Sequence, residues 1–426
     1  MNLIFEDRAA TERNRSFRAL AAGSIGNFIE WYEFGVYGYL ATVVAERFFT
    51  PAGGSAAEGL VRTYASFGLA FFFRPLGAAL FGRLADRLGR RPVLILVVAL
   101  MTAATTLIGL LPTYAQAGAL APWLLTFLRV IQGLSAGGEF GGAVAMLTEL
   151  APPGRRGLYG AWQSFTVALG LLGGAGMAVG LSGVMPADQF ADWGWRLPFL
   201  LALPLGALAL WLRVGLDETP EFRERERGVR AERVSVWAIA LAAGRVMGWS
   251  AAGYTFLVVL PSYLQTSLHT GFREALLATV VANVGFAAAI LPAGVLSDRV
   301  GRRPVMLTGA GLVVVLAVPL LNLLQDSGVS TGVKDAALFG AGAVVGLLAG
   351  PGPAMLAEMF PARARCTGLG LAYALSNAVF SGCAGLIITE AVKRTGNLDV
   401  PGYYAAATCA VSVLALLGPA PRWKAG

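Results

Sequence analysis

Six ionisable residues sit in stretches that are otherwise too apolar to hold them. Glu30 and Glu33 lie in the first hydrophobic segment, Arg74 in the second, Arg129 and Glu139 in the fourth, and Arg245 in the seventh. A charge within a bilayer is costly, so each is a candidate for function. Asn27, Glu30 and Glu33 are spaced three apart, and Tyr37 follows one turn on. On a helix the first three drift by only about 60° per step and share one broad face. Two carboxylates this close in a low dielectric cannot both stay charged comfortably; at least one needs a proton or an arginine partner. That is what a proton carrier requires, and the expected order of candidates is Glu33, Glu139, Glu30. Arg129, Gln132 and Glu139 also fall within about 80° of one helical face, on a segment whose Gly133, Gly137, Gly138, Gly141 and Gly142 allow close helix approach. Three arginines against three glutamates is near neutrality. This suits mutual pairing in the empty state and a ligand, anionic or zwitterionic, that displaces one partner.

These residues need a scaffold that spans lipid. The chain has 426 residues, 56% of them hydrophobic and 14% charged, whereas a soluble protein carries about 25% charged residues. A soluble enzyme is excluded on that ground. Period-2 alternation, the mark of a membrane barrel, is absent, which leaves helices as the way to satisfy the backbone. Twelve apolar segments are expected, near 19–46, 60–82, 92–111, 121–150, 157–184, 195–213, 236–267, 273–297, 304–324, 334–359, 366–390 and 401–419. The N-terminal stretch is too polar and acidic for a signal peptide, so the first segment is expected to remain as a spanning helix. One histidine, His269, and three cysteines, Cys366, Cys383 and Cys409, have no ligand spacing. No metal, cofactor or disulfide framework is expected, and no nucleotide loop or nucleophile constellation points to an enzyme.

With the N-terminus inside, 23 of the 33 Lys and Arg residues fall on the inner side and seven outside. The positive-inside rule then places both termini in the cytoplasm. It also accounts for the net charge of +8 without a nucleic-acid partner. The most polar stretch, from Asp217 to Arg233, divides the chain into an N-terminal six-helix bundle (1–213), a cytoplasmic linker (214–235) and a C-terminal six-helix bundle (236–426). The halves repeat: GRLADRLGRRPVL begins at Gly82 and GVLSDRVGRRPVM at Gly294, each after the second segment of its half. A duplicated helical unit marks transporter folds with the substrate site between the repeats.

The two loops resemble the G-x-x-x-D-R-x-G-R-R motif of the major facilitator superfamily. The resemblance covers essentially the whole chain and implies an all-α membrane protein of twelve transmembrane helices in two pseudo-symmetric six-helix bundles. It also implies that Gly82, Asp86, Arg87 and Arg90, with Asp298, Arg299 and Arg302, latch the cytoplasmic side. Glu149 and Glu358, at corresponding helix ends before Pro152 and Pro361, are expected to join that gate through Arg155, Arg156, Arg363 and Arg365.

Further segments resemble the metabolite:proton symporter branch: GNFIEWYEFGVYG from Gly26, FFFRPLGAALFG from Phe71, RVIQGLSAGGEFGGA from Arg129, RRGLYGAWQ from Arg155, WGWRLPFLL from Trp193 and LDETPEF from Leu216. Substrates in that branch include shikimate, di- and tricarboxylates, proline and betaine. The resemblance implies proton-coupled symport of a small organic acid or zwitterion by a functional monomer in a bacterial inner membrane, with Arg129 coupling proton to substrate. Residues expected to contact substrate are Asn27, Tyr37, Arg74, Arg129, Gln132, Gln163, Arg245, Tyr254, Tyr373 and Asn377. The chain departs from the branch in having Glu33 for Asp, Ala85 for Gly, Tyr373–Ala374 for Tyr-Asn and Ala349 for Tyr, so substrate identity is the least transferable property. The alternative is a proton-driven exporter of a drug or of a carboxylate-rich metabolite such as a siderophore. A glycine-rich fifth segment without the Gly-Pro of drug antiporters weighs against drug export.

Overall fold

The computed structural model describes residues 23–51, 53–88, 90–137, 139–149, 151–214, 235–361 and 365–419. Among them the regular structure is all helical, with no strand. We label the spans α1 (residues 23–49), α2 (Ala56–Leu88), α3 (Arg90–Leu110), α4 (Leu120–Ala136 and Glu139–Glu149), α5 (Arg156–Val184), α6 (residues 194–214), α7 (residues 236–267), α8 (Phe272–Val300), α9 (Arg302–Gln325), α10 (Thr331–Ala349 and Gly352–Glu358), α11 (residues 365–395) and α12 (Val400–Leu417). Nine helices among the described residues are long and apolar enough to cross a membrane. The remaining spans, α1, α4 and α7, carry Glu30 and Glu33, Arg129 and Gln132, and Arg245. Large apolar side chains turn outward, as with Trp123 (73% exposed), Trp211 (73%) and Leu414 (70%). Water would penalise such a surface and lipid does not.

Two segments expected as continuous helices are divided. The fourth breaks after Ala136, at Gly137, and the tenth at Gly350 and Pro351. Glycine weakens a helix interior and proline removes an amide donor. The breaks occupy the same position in the two repeats. α11 runs to Thr395, beyond the expected 390, because Glu390 pairs with Arg394 and Lys393 at its end and Gly396 closes it in the left-handed region. The expected linker lies, but for its ends, outside the described residues.

The packing repeats as well. In the N-terminal half α2 crosses α4 so closely that a Cβ at Gly133 or Gly137 would meet the carbonyl oxygen of Ala70 or Arg74. In the C-terminal half α8 crosses α10 in the same way, with Gly285 on the Phe339 carbonyl and Gly342 on that of Ala282. The halves meet through α5 against α8 and α11 against α2. The fifth helix of each half thus packs on the second helix of the other, as a pseudo-twofold relation requires. Glycines permit both contacts: Gly157 lies on Gly294 and Gly68 on Gly382. The α2–α4 crossing fixes the site, because Arg74 and Arg129 project from these two helices.

Candidate functional site

The polar face of α1 is buried against α2, α4 and α5. Asn27 donates through Nδ2 to Thr166 Oγ1 (2.6 Å) and to the Gln163 carbonyl (3.1 Å), and Gln163 Nε2 donates back to Asn27 Oδ1 (2.9 Å). One turn on, Glu30 Oε1 lies 3.0 Å from Arg74 Nη2. The Arg74 guanidinium also lies against the rings of Phe71 (4.4 Å) and Phe34 (4.5 Å). One of the two close carboxylates therefore has the arginine partner that their spacing demands.

Glu33 is treated differently. It is fully buried, and neither of its oxygens meets a hydrogen-bond donor. The nearby Thr105 hydroxyl is committed to the Met101 carbonyl and accepts from Gln132 Nε2 (2.6 Å). Gln132 in turn accepts from Arg129 Nη1 (2.7 Å). Arg129 is fully buried and lies over the rings of Tyr37 (4.2 Å), Phe67 (4.9 Å) and Phe34 (5.0 Å), while its Nε and Nη2 have no partner. Tyr37 shares a 2.6 Å hydrogen bond with Ser66. Phe34 touches both guanidiniums, so the two arginines are linked through one ring.

Facing this cluster is a narrow cavity between the halves, lined by Trp31, Trp249, Ser250, Tyr254, Tyr373 and Asn377 among others. π turns in α7 (Thr255–Val259) and α11 (Asn377–Gly382) flank it; such turns recur at functional sites. A second narrow cavity, which Glu30 helps to line, lies within the N-terminal half.

The structure buries Asn27, Glu30, Glu33, Tyr37, Arg74, Arg129, Gln132 and Gln163 within the N-terminal half, and places Tyr254, Tyr373 and Asn377 on the cavity between the halves. Arg245 is placed elsewhere, a correction to the expected pairing of three arginines with three glutamates. Its guanidinium donates to the carbonyls of Ala415, Gly418 and Pro419, capping the end of α12. Carbonyls left over at a helix terminus attract a cation, so Arg245 has a local structural partner. The Glu139 side chain, and those of Asp86, Arg87 and Arg90 with Gly82, lie outside the described residues. In the sequence Trp31 is one of several aromatics that could line a cavity, whereas Trp249, Ser250 and Ser381 are not singled out for one. Nothing in their spacing separates a cavity wall from ordinary packing.

At the arginine-rich end, Asp298 accepts from the backbone amides of Gly157 (2.7 Å) and Leu158 (2.9 Å) at the start of α5, and from Arg302 Nη1 (2.6 Å). Arg302 also reaches Glu358 (3.1 Å), and Glu149 pairs across the halves with Arg365 (2.8 Å). Arg299 is exposed. The opposite end is closed by neutral contacts between the halves, Tyr64 to Ser262 (2.7 Å) and Thr42 to Gln265 (3.0 Å). Asp298→Asn removes a charge held by two helix-terminal amides and a guanidinium, a loss of about 1.5–3 kcal/mol. That is enough to change the ratio of two states roughly tenfold or more. Spin-label distances between the start of α5 and the end of α8 should show that end opening. An unchanged distribution would leave Asp298 no part in holding it closed.

Twelve helices in two repeated halves, with a polar site buried between them and contacts closing both ends, define a membrane transporter of the alternating-access type. Residues 19–237 match the family described as "Sugar (and other) transporter" and residues 246–425 the "Major Facilitator Superfamily". The chain belongs to the major facilitator superfamily and is a transporter, not an enzyme. It is 35% identical to the proline/betaine transporter of Escherichia coli (strain K12), over 93% of this chain and 82% of that protein. It is 34% identical to the citrate-proton symporter of Klebsiella pneumoniae, over 93% of this chain and 90% of that protein. Identity is also 34% with the alpha-ketoglutarate permease of E. coli (strain K12), over 88% and 87%. The fold superposes on the proton:xylose symporter XylE, solved with 6-bromo-6-deoxy-D-glucose, with a TM-score of 0.76 and 18% identity, covering 95% of both chains. The chain is thus a multi-pass inner-membrane protein of bacterial type.

Proposed function

We propose that the chain is a proton-coupled symporter of a small metabolite bearing at least one carboxylate, with Glu33 as the proton carrier and Arg129 and Arg74 linking proton to substrate. The observation that carries this reading is the contrast between the two α1 carboxylates. Glu30 is held by Arg74, while Glu33 is equally deep and has no hydrogen-bond partner beside an arginine with donors to spare. A carboxyl in that position can take up and release a proton without dismantling an ion pair that supports the fold. The relatives named for proline and betaine, citrate and alpha-ketoglutarate all act on carboxylate compounds. Arg74 packs on the Trp31 ring at the cavity wall (5.8 Å), so a carboxylate entering there competes electrostatically with Glu30.

In this reading the bundles 1–213 and 236–426 rock about the cavity, and the Asp298 and Glu149 contacts form the cytoplasmic gate, together with the Asp86 loop. Both termini face the cytoplasm, following the Lys and Arg bias. A cysteine introduced at Arg225 should then react with an impermeant reagent only after the cells are permeabilised. The function itself is tested by reconstituting the protein and offering labelled mono-, di- and tricarboxylates and amino-acid zwitterions, with and without an inward pH gradient. Saturable accumulation that depends on the gradient is expected. Equal uptake with and without the gradient would reject coupling, and gradient-driven expulsion would favour export.

A further inference from the structure

Adjacent residues of α1 line different cavities. Trp31 lines the one between the halves and Glu30 the one inside the N-terminal half, and no residue lines both. Arg74 stands between them, 5.8 Å from the centre of the Trp31 ring and 3.0 Å from Glu30. The symport reading uses the first cavity and leaves the second idle.

The second cavity is a seam between α1, α3, α4 and α6. Its walls are largely apolar, Ile29, Val97, Val98 and Met101 among them, but Glu30, Thr102 and Ser135 meet it with polar side chains. Thr102 is 4% exposed and its hydroxyl has no hydrogen-bond partner. A Cβ on Gly206 would collide with that hydroxyl, so α6 passes Thr102 on a glycine. Ser135 Oγ donates to the Ile131 carbonyl (2.9 Å), which leaves its own lone pairs to accept. A buried hydroxyl without a partner is costly. Two hydroxyls and a carboxylate around one space supply the two to four partners that an internal water needs.

The lining also has a direction. Val97 is five residues from Thr102 toward Arg90, about 7.5 Å along α3. Gly26 lies one turn from Glu30 toward the start of α1, and Ala209 lies in the last turns of α6. All three displacements point to the arginine-rich end. The contacts that close that end, through Asp298 and Glu149, join the two halves. The seam is lined by the N-terminal half alone, so the closed gate does not cross it.

Resting on the symport reading, we infer that this seam is the proton's own route, a short file of water held by Thr102 and Ser135 that joins Glu30 to the arginine-rich end without entering the substrate cavity. Substrate and proton then meet the Glu30–Arg74 pair from opposite sides. Glu33, which stores the proton, acts electrostatically on Glu30 from one turn along α1. The other groups that do so are Arg74, Tyr254 and Tyr373. When a substrate carboxylate draws on Arg74, Glu30 takes the proton: an O–H bond breaks at Glu33 and one forms at Glu30. Glu30 passes it to the first water as hydronium, and its carboxylate pairs again with Arg74 as the substrate leaves. Thr102 is a positioning residue. Its hydroxyl donates one hydrogen bond while accepting others, which orients the water beside Glu30.

Hydroxyl-radical footprinting of the full-length protein in lipid nanodiscs reads the water directly and needs no substrate. A radical formed from a bound water oxidises the sulfur next to it. Met101 lines the seam and is 6% exposed, while Met306 in α9 is as deeply buried away from it. Met101 is expected to oxidise severalfold faster than Met306. Thr102→Val, which keeps the shape and removes the hydroxyl, should slow Met101 oxidation. It should also slow gradient-driven uptake about tenfold with exchange between preloaded vesicles unchanged, and Thr102→Ser should restore both. The transport probe is whichever of labelled betaine, alpha-ketoglutarate and citrate the parent accumulates. Met101 as protected as Met306 would overturn the route. So would Thr102→Val with the parent's gradient-driven rate, or with exchange lost in the same proportion, the mark of a merely structural role. If the parent accumulates none of the three probes, the symport reading falls and the route with it. If it accumulates one while Met101 stays protected, symport stands and the proton travels through the central cavity.

Discussion

Glu33→Gln is expected to abolish substrate accumulation driven by a pH gradient while leaving substrate exchange between preloaded vesicles intact. The amide has nearly the volume of the acid, so the helix packing around α1 is kept and only the titratable proton is lost. Glu33 is fully buried with both oxygens unpartnered, so the variant breaks no hydrogen bond and should fold and bind as the parent does. Coupling requires a group that is charged in one state and neutral in another; a permanently neutral side chain mimics the protonated carrier and lets the loaded transporter cycle. Glu30→Gln should behave differently. It strips Arg74 of its partner at 3.0 Å and leaves a buried guanidinium uncompensated, so protein abundance and exchange should both fall. Glu33→Asp is expected to retain coupling, since the related symporter branch carries aspartate at that position. If Glu33→Gln still concentrates substrate against its gradient under an imposed pH difference, the carrier is another group.

The scaffold and the carrier were legible to different degrees, for physical reasons. Hydropathy is a sum over some twenty residues, so it located all twelve spans, and the repeated loops at Gly82 and Gly294 identified the duplication. It could not mark the breaks in α4 and α10, because a single Gly or Gly-Pro pair barely alters that sum. Charge in lipid is conspicuous, so Glu30, Glu33, Arg74 and Arg129 stood out. Their pairing did not, because the α2–α4 crossing angle decides which arginine meets which acid, and that crossing rests on carbonyl contacts at Gly133 and Gly137. Arg245 illustrates the limit. By exposure alone it matches Arg129, yet its partners are carbonyls at the end of α12, 170 residues or more away in sequence. Trp249 and Ser250 did not stand out, for the opposite reason. Aromatic and hydroxyl residues are common in membrane helices, and only the juxtaposition of α1, α7 and α11 turns these particular ones into a cavity wall.

Arg129→Gln is expected to lower transport far more than it lowers protein abundance. The guanidinium makes one charged hydrogen bond, to Gln132, and lies over Tyr37, Phe67 and Phe34, the last of which also meets Arg74. Losing a charge-assisted bond costs about 1.5–3 kcal/mol, which at tenfold per 1.4 kcal/mol corresponds to a rate loss of about 10- to 100-fold. The fold should tolerate the change, because glutamine can still bond to Gln132 and the cage loses a cation rather than its rings. Arg129→Lys tests which property matters. An ammonium keeps the charge but presents no planar face to stack and no fixed fork to reach Gln132. If charge alone couples Glu33 to the substrate, lysine should restore gradient-driven uptake; if the rigid stack on Phe34 carries the signal to Arg74, lysine should fail as glutamine does. Initial uptake rates of the two variants, each normalised to folded protein and compared with gradient-free exchange, separate these outcomes. Normal gradient-driven rates in both variants would remove Arg129 from the coupling path and leave it a packing residue of the α2–α4 crossing.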